Sequence, residues 1–307
     1  MKPWHLILLV VMNCLWAGTY SSFKVLSPVL DAGGVVTLRF GLAAVVLLLC
    51  WPWLPGAAPR GRELVRAIVM GVMAFALAPR FQVAGVQMGR AADASMVVAL
   101  EPLIVSVGAA IFLREPLGPR QWLGFVLGLV GVGLLSEIWR PDFHWPALAA
   151  NALILLSLCC DSAYSIIGKP LMERAGLFKI LAVAIVSGAL VDVMVDGPSA
   201  VHAAARLTLF DWALVAYLSL ICTLGGYALW FAVIRETQVN TVALTVFIQP
   251  VAGSILAMIW LGEGLHWGQT IGGLVILAGL LIGISRSEGS SQPQKLSEAI
   301  LGKPPGE

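Results

Sequence analysis

Ten long apolar runs limit what this sequence can fold into. Each has about 20 residues, the length at which an α-helix crosses the roughly 30 Å of hydrocarbon in a membrane. Such a helix makes its backbone hydrogen bonds internally, as hydrocarbon requires. We therefore predict an all-α membrane protein with ten transmembrane helices. The predicted spans are residues 6–26, 34–54, 67–86, 94–113, 121–139, 147–168, 180–196, 212–234, 240–261 and 268–285.

The scarcity of charged residues supports a membrane protein over a soluble one. Only 12% of the 307 residues are charged and 59% are hydrophobic, whereas a soluble domain carries about 25% charged residues. The net charge is +2 and the basic residues are scattered through loops, so no nucleic-acid partner is expected. The expected partners are the lipid bilayer and a small-molecule substrate.

The positions of Lys and Arg predict how the chain is oriented. Thirteen of the 19 fall in the tails or in the loops of one side, three in the loops of the other side, and three within spans. Basic loops stay on the cytoplasmic side, so both termini are predicted to be cytoplasmic. Short loops favour the plasma (inner) membrane.

The two halves of the sequence are similar at an offset of 148 residues. Twelve residues between 98 and 131 recur, without a gap, between 246 and 279. Each half holds five spans, an odd number, so the second half must enter the membrane inverted. Inverted repeats are common in secondary transporters. We predict a first five-helix repeat at 1–139, a second, inverted repeat at 140–286, and a disordered cytoplasmic tail at 287–307.

The repeated residues form a motif: a proline within a helix, Leu-x-Glu-x-Leu in a loop, then Gln and Gly. The first copy comprises Pro102, Leu113, Glu115, Leu117, Gln121 and Gly124, and the second comprises Pro250, Leu261, Glu263, Leu265, Gln269 and Gly272. Trp16 and the Leu38-Arg39-Phe40 sequence fit the same pattern. With these features the chain resembles the paired EamA-type units of the drug/metabolite transporter superfamily.

The resemblance implies a carrier of amino acids or other small metabolites, acting as an exporter by alternating access. It also implies a central cavity lined mainly by the first, third, fourth, sixth, eighth and ninth helices. The chain departs from the general family pattern in being more charged at Pro79-Arg80 and at Glu101.

Among the charged residues inside the predicted spans, six are singled out: Lys24, Arg39, Arg80, Glu101, Asp161 and Asp192. A charge in hydrocarbon costs at least about 2.5–3.5 kcal/mol, so it normally faces a cavity or a partner. Arg80 and Glu101 are predicted at the same depth in neighbouring spans and can form a pair. Either the pair lines a cavity, with Arg80 binding a substrate carboxylate or phosphate and Glu101 an amine or a proton, or it is a structural bridge.

Three of the other charged residues, Arg39, Lys24 and Asp161, have interpretations of their own. Arg39 either binds substrate or anchors its helix to the lipid headgroups. Lys24 is expected to reach the headgroups from the external end of the first span. Asp161 is a candidate for proton coupling, as is Glu101, and it lies at the depth of Asn13, its counterpart in the repeat.

Uncharged candidates come from the repeat and from the aromatic residues. Glu101 corresponds to Gln249, and each precedes a proline. A proline frees a carbonyl group, which either belongs to a binding site or marks an ordinary kink. Candidate aromatic walls of the cavity, with packing or interfacial roles as the alternative, are Trp16, Tyr164, Tyr227 and Trp230.

Glycine pairs with GxxxG spacing occur in the fifth and tenth predicted spans, and they permit close helix contact. They indicate either a scaffold away from the cavity or a dimer face. The pairs are Gly124/Gly128, Gly268/Gly272 and Gly279/Gly283.

The motifs of other functional classes are missing from the sequence. There is no Walker A motif for ATP, no HExxH or GxSxG motif, and no filter-like repeat of polar residues. The five cysteines lie in apolar runs without metal-binding spacing. We therefore expect a secondary carrier with no cofactor, metal or catalytic residue. The alternative is a membrane enzyme or sensor without transport activity. Substrate, direction, coupling ion and oligomeric state stay open.

Overall fold

A computed structural model describes residues 3–112, 118–135, 145–172, 175–229 and 248–284. These residues form helices and connecting turns, with no strand among them, which confirms the all-α prediction for this part of the chain. The helices are α1 (Pro3–Leu26), α2 (Ala32–Cys50), α3 (Arg62–Val72), α4 (Ala78–Met88), α5 (Ala91–Val97), α6 (Glu101–Phe112), α7 (Pro119–Leu135), α8 (Trp145–Met172), α9 (Leu177–Ala204), α10 (Leu209–Ala216), α11 (Ile248–Leu261) and α12 (Trp267–Ile284).

Several helices are long and apolar enough to cross a membrane. Within the described residues there are five such stretches: Ala32–Trp53, Arg62–Met88, Trp145–Gly168, Leu177–Ala204 and Leu209–Leu229. Shorter apolar helices occur at Ala91–Leu100, Trp122–Leu135, Ile248–Leu261 and Trp267–Ile282. The total of ten spans stays a prediction, and the predicted tail at 287–307 lies outside the described residues.

Two of the long stretches contain a π-helical segment. Met73–Leu77 joins α3 to α4, and Tyr217–Gly225 follows α10. The 148-residue offset carries the first segment onto 221–225, which is the end of the second. A π turn is rare and is frequently found at functional sites. The two halves therefore depart from regular α-helix at corresponding points, which the hydrophobic pattern did not reveal.

Helices α7 and α12 pack along their glycines. A Cβ atom on Gly272 would lie 2.7 Å from the carbonyl oxygen of Gly131, and one on Gly279 would lie 2.7 Å from that of Gly124. These distances are too short for any residue with a side chain. The offset relates Gly124 to Gly272 and Gly131 to Gly279. The contact of Gly272 with Gly131 is therefore the repeat counterpart of the contact of Gly279 with Gly124. The glycines thus join the fifth and tenth predicted spans within one chain.

The glutamate of the second Leu-x-Glu-x-Leu motif caps a helix. The Glu263 carboxylate accepts hydrogen bonds from the backbone N–H groups of Ala91 and Ala92, each 3.1 Å long. These groups begin α5, where a helix has unpaired donors and favours a negative charge. Arg90 contacts the same loop, since its guanidinium donates to the carbonyl of Gly264. The motif therefore joins the two halves at one end of the bundle.

Glu263→Ala is expected to lower the free energy of unfolding by about 1–2 kcal/mol, the usual cost of a lost helix cap. Unfolding of the purified protein by SDS in mixed micelles would measure it. Glu263→Gln keeps an acceptor oxygen and should lose less. A stability of Glu263→Ala equal to that of the parent would contradict the capping role.

Lys24 also completes a helix end instead of reaching for headgroups. Its Nζ donates hydrogen bonds to the carbonyl oxygens of Val86, Gln87 and Gly89, at 3.4, 2.9 and 2.6 Å. The last carbonyls of a helix have no internal partner and attract a cation. Lys24 therefore ties the end of α1 to the end of α4.

Candidate functional site

A cavity of about 180 Å³ lies between α1, α2, α4, α6, α8 and α11. Both halves of the chain contribute to it. The structure gathers around it seven residues that were predicted from the sequence: Trp16, Arg39, Glu101, Asp161, Tyr164, Tyr227 and Gln249. Trp230, the remaining aromatic candidate, lies outside the described residues.

The cavity also has polar lining residues that the sequence did not single out. Tyr20 and Gln82 are examples. Tyr20 lies four residues after Trp16, so both project from one face of α1. Gln82 follows Pro79 by three residues and shares its face of α4. Helical spacing from a predicted residue was the signal that could have found them.

Arg39 is buried and turned into the cavity, so the headgroup interpretation is wrong. Its side chain is 8% exposed. Its Nε donates a 3.0 Å hydrogen bond to Oγ1 of Thr223, in the second π segment. The guanidinium carbon lies 4.9 Å from the ring centroid of Phe40 and 5.7 Å from that of Phe23. These contacts fix the cation at the cavity wall.

Two carboxyl groups, one from each half, face the same cavity. Glu101 begins α6 and Asp161 lies in α8. No described residue donates a hydrogen bond to either carboxylate. The positive charge of Arg39 attracts the Asp161 carboxylate, and the Asp161 carboxylate repels that of Glu101. Acidic groups without donors are costly in a low-dielectric site unless a ligand or a proton compensates them.

The predicted Arg80–Glu101 pair is wrong. Nε of Arg80 donates a 2.9 Å hydrogen bond to Oδ1 of Asp192, and one Nη atom lies 2.8 Å from the same oxygen. The other Nη contacts the carboxylate of Asp196. Arg80 therefore joins α4 to α9 and is not among the residues that line the cavity.

The continuation of α9 places a second carboxylate beside Asp192. The predicted span ends at residue 196, just before Gly197-Pro198, but the helix continues through Pro198 to Ala204. Asp192 and Asp196 are thus one helical turn apart on the same face. Together they offer Arg80 two carboxylates, whereas Glu101 offers one.

A chain of amides joins α1 to α11 beside the cavity. The Tyr20 hydroxyl donates to Oε1 of Gln249 at 3.3 Å, and Nε2 of Gln249 donates to Oδ1 of Asn13 at 2.8 Å. The Asn13 amide in turn donates to the carbonyl of Leu9 at 2.8 Å. Gln249, predicted through its correspondence with Glu101, is therefore held in one orientation by neighbours from the other half.

Aromatic rings form one wall of the cavity. Indole Nε1 of Trp16 donates to the carbonyl oxygen of Cys222 at 2.7 Å, inside the second π segment. The ring of Tyr227 lies 5.9 Å from those of Trp16 and Tyr164, measured between centroids, and 5.5 Å from that of Phe75. Phe75 belongs to the first π segment. Both π segments thus support the same aromatic wall.

Within the described residues, no group of three or more His, Cys, Asp or Glu is placed to hold a metal ion. The residues that line the cavity offer charge pairing, hydrogen bonding and aromatic contact. These are the means by which a site binds and releases a small polar solute.

Comparison with known proteins gives a consistent result. The model of the EamA-like transporter family matches residues 3–137 and again residues 148–284. A probable terminal-alkyne amino-acid exporter of Streptantibioticus cattleyicolor is 25% identical over 280 residues, 91% of this chain and 92% of that protein.

Two further relatives also match over almost their whole length. A probable amino-acid metabolite efflux pump of Salmonella typhimurium is 26% identical over 300 residues, 92% of this chain and 95% of that protein. An uncharacterized transporter of Archaeoglobus fulgidus is 23% identical over 280 residues, 91% of this chain and 96% of that protein.

A solved structure, described only as the crystal structure of a protein, has the same fold. It superimposes with a TM-score of 0.55 at 16% sequence identity, and the match covers 91% of this chain and 94% of that one.

Proposed function

Because this chain belongs to the EamA-like transporter family, we propose that it is a secondary active transporter for a small organic solute. The cavity between α1, α2, α4, α6, α8 and α11 is the binding site. One observation carries the proposal: charged residues from both halves line a single cavity, and two of their carboxylates have no donor within the described chain. A carrier needs such a site, because the solute itself supplies the missing partner.

The architecture we propose is ten transmembrane helices in two inverted repeats, at residues 1–139 and 140–286. The repeated match to the family model supports it. So do the corresponding π segments and the exchanged glycine contacts. Two copies of one unit can adopt two packings of similar energy, which is the basis of alternating access. The proposed location is the plasma (inner) membrane, with both termini cytoplasmic.

We assign the structure to a state closed at the external side. Charged contacts join the halves at the end that the Lys and Arg distribution predicts to be external. Arg80 of α4 binds Asp192 of α9, and Glu263 binds the first turn of α5. The solute would then enter from the cytoplasm, and export requires these contacts to open. The relatives named as an exporter and an efflux pump support this direction.

Export can be tested by untargeted mass spectrometry of the medium of cells that overproduce the protein. The control is the double variant Glu101→Gln/Asp161→Asn at matched membrane levels, which keeps side-chain shape and removes both charges. We expect at least one solute to be enriched in the medium with the intact protein and not with the variant. Equal media in both cultures would contradict export through this cavity.

A further inference from the structure

The ionic side chains that line the cavity do not balance. Arg39 is the single basic side chain among its described lining residues, whereas Glu101 and Asp161 are two acidic ones. The imbalance arises because Arg80 points elsewhere and is neutralised by Asp192 and Asp196. With Arg80 in the cavity the charges would be even.

We propose that the cavity selects a solute with a positively charged nitrogen, such as a primary amine, and that a carboxylate on that solute is dispensable. This inference rests on the proposed carrier function and specifies its substrate class. A carrier specific for amino acids recognises both the amine and the carboxylate of its solute. In this proposal a free amino acid is only one of the amines that the cavity binds.

Arg39 is poorly placed to demand a substrate carboxylate. Its Nε already donates to Thr223, and its guanidinium plane lies near the rings of Phe23 and Phe40. A cation held in this way is partly satisfied by the protein itself. The carboxylates of Glu101 and Asp161 accept no hydrogen bond from described residues. The positive charge of the solute therefore contributes more to the free energy of binding than a carboxylate on the solute does.

The uncharged part of the lining favours the same class. Trp16, Tyr164 and Tyr227 line the same cavity as the carboxylates, and the Tyr227 ring contacts the other two. Aromatic faces attract ammonium groups, and the attraction is stronger in desolvated sites. An anion in this cavity would meet two acidic side chains, with one guanidinium, whose Nε already donates to Thr223, to offset them. A site of that kind rejects anions by like-charge repulsion.

The experiment compares three charge forms of one solute on purified protein in detergent. L-Leucinamide is a cation, L-leucine is a zwitterion and N-acetyl-L-leucine is an anion with the same side chain. The same three forms of phenylalanine and threonine extend the series. Binding is read from the rise in unfolding temperature as each compound is titrated.

We expect the amide to bind at least as tightly as the free amino acid and roughly ten-fold or more tightly than the N-acetyl form. Asp161→Asn and Glu101→Gln should each weaken amide binding roughly ten-fold or more. Glu63→Gln is the matched control, because its carboxylate lies in the first turn of α3 and outside the cavity lining. That variant should bind like the parent.

Three results would overturn the inference. The first is tighter binding of the N-acetyl form than of the amide, and the second is binding of leucine with none of leucinamide. The third is no binding by any form of the series while cells with the intact protein still export a solute, which supports the carrier function but excludes the amine class as its substrate. If the export experiment also shows no solute, export through this cavity is contradicted as well.

Discussion

Replacing Arg80 with methionine is expected to lower the free energy of unfolding by about 3–5 kcal/mol. The side chain of Asp192 is fully buried, and Arg80 supplies its hydrogen bond and its counter-charge. Without Arg80 that carboxylate must ionise unpaired or take up a proton, and either is unfavourable. Reversible unfolding in mixed micelles would measure the change.

The double variant Arg80→Met/Asp192→Asn provides the critical comparison. Removing both charges avoids the unpaired carboxylate, so much of the lost stability should return. Arg66→Met is the control for an exposed arginine on α3, and its effect should stay within about 0.5 kcal/mol. If the double variant were as unstable as Arg80→Met, the pair would not be the source of the effect.

Gly272→Ala is expected to cost about 3 kcal/mol or more, because it overpacks the contact of α7 with α12. The added Cβ would lie 2.7 Å from the carbonyl oxygen of Gly131 and 2.8 Å from Cα of Leu135. These are backbone atoms, so no side-chain rotation can relieve the clash and the helices must move apart. The yield of folded, monodisperse protein after detergent extraction should fall sharply, as size-exclusion chromatography would show.

Gly41→Ala is the matched control for Gly272→Ala. Gly41 lies within α2, and a Cβ there would meet nothing within 4 Å. Since alanine is also the better helix former, this variant should be as stable as the parent or slightly more stable. A normal yield of Gly272→Ala would show that the glycine contact does not hold the two helices together.

The sequence predicted the charged residues of the cavity because hydrocarbon penalises charge. That penalty applies wherever a helix lies in the membrane, so it identified Arg39, Glu101 and Asp161 without knowledge of the packing. The fold class followed in the same way, from the length of the apolar runs. Both arguments depend only on whether hydrocarbon or water surrounds a helix.

The partner of Arg80 could not be predicted on those grounds. The predicted depth in the membrane limited the possible partners of Arg80 to acidic residues at a similar depth. Which of them it contacts depends on how each helix is rotated about its axis. The predicted span ended at Asp196 itself, whereas α9 continues past it to Ala204. Pairing is a property of packed helices, which a single hydrophobic pattern does not contain.

The π segments and the Glu263 cap were missed for a related reason. A π turn adds one residue to a helical turn and leaves the apolar run intact, so hydropathy does not register it. Glu263 stood out as part of a repeated motif, yet its role depends on the first turn of α5, more than 160 residues away in the sequence. Tertiary contact decides both features.

The glycine contact between α7 and α12 has a consequence for the gene. Every glycine codon has the form GGN, and each missense change of one nucleotide yields an amino acid with a Cβ atom. At Gly131, Gly272 and Gly279 that atom would collide with the opposite helix. Every single-nucleotide missense change in these three codons therefore introduces the collision, and only synonymous changes avoid it.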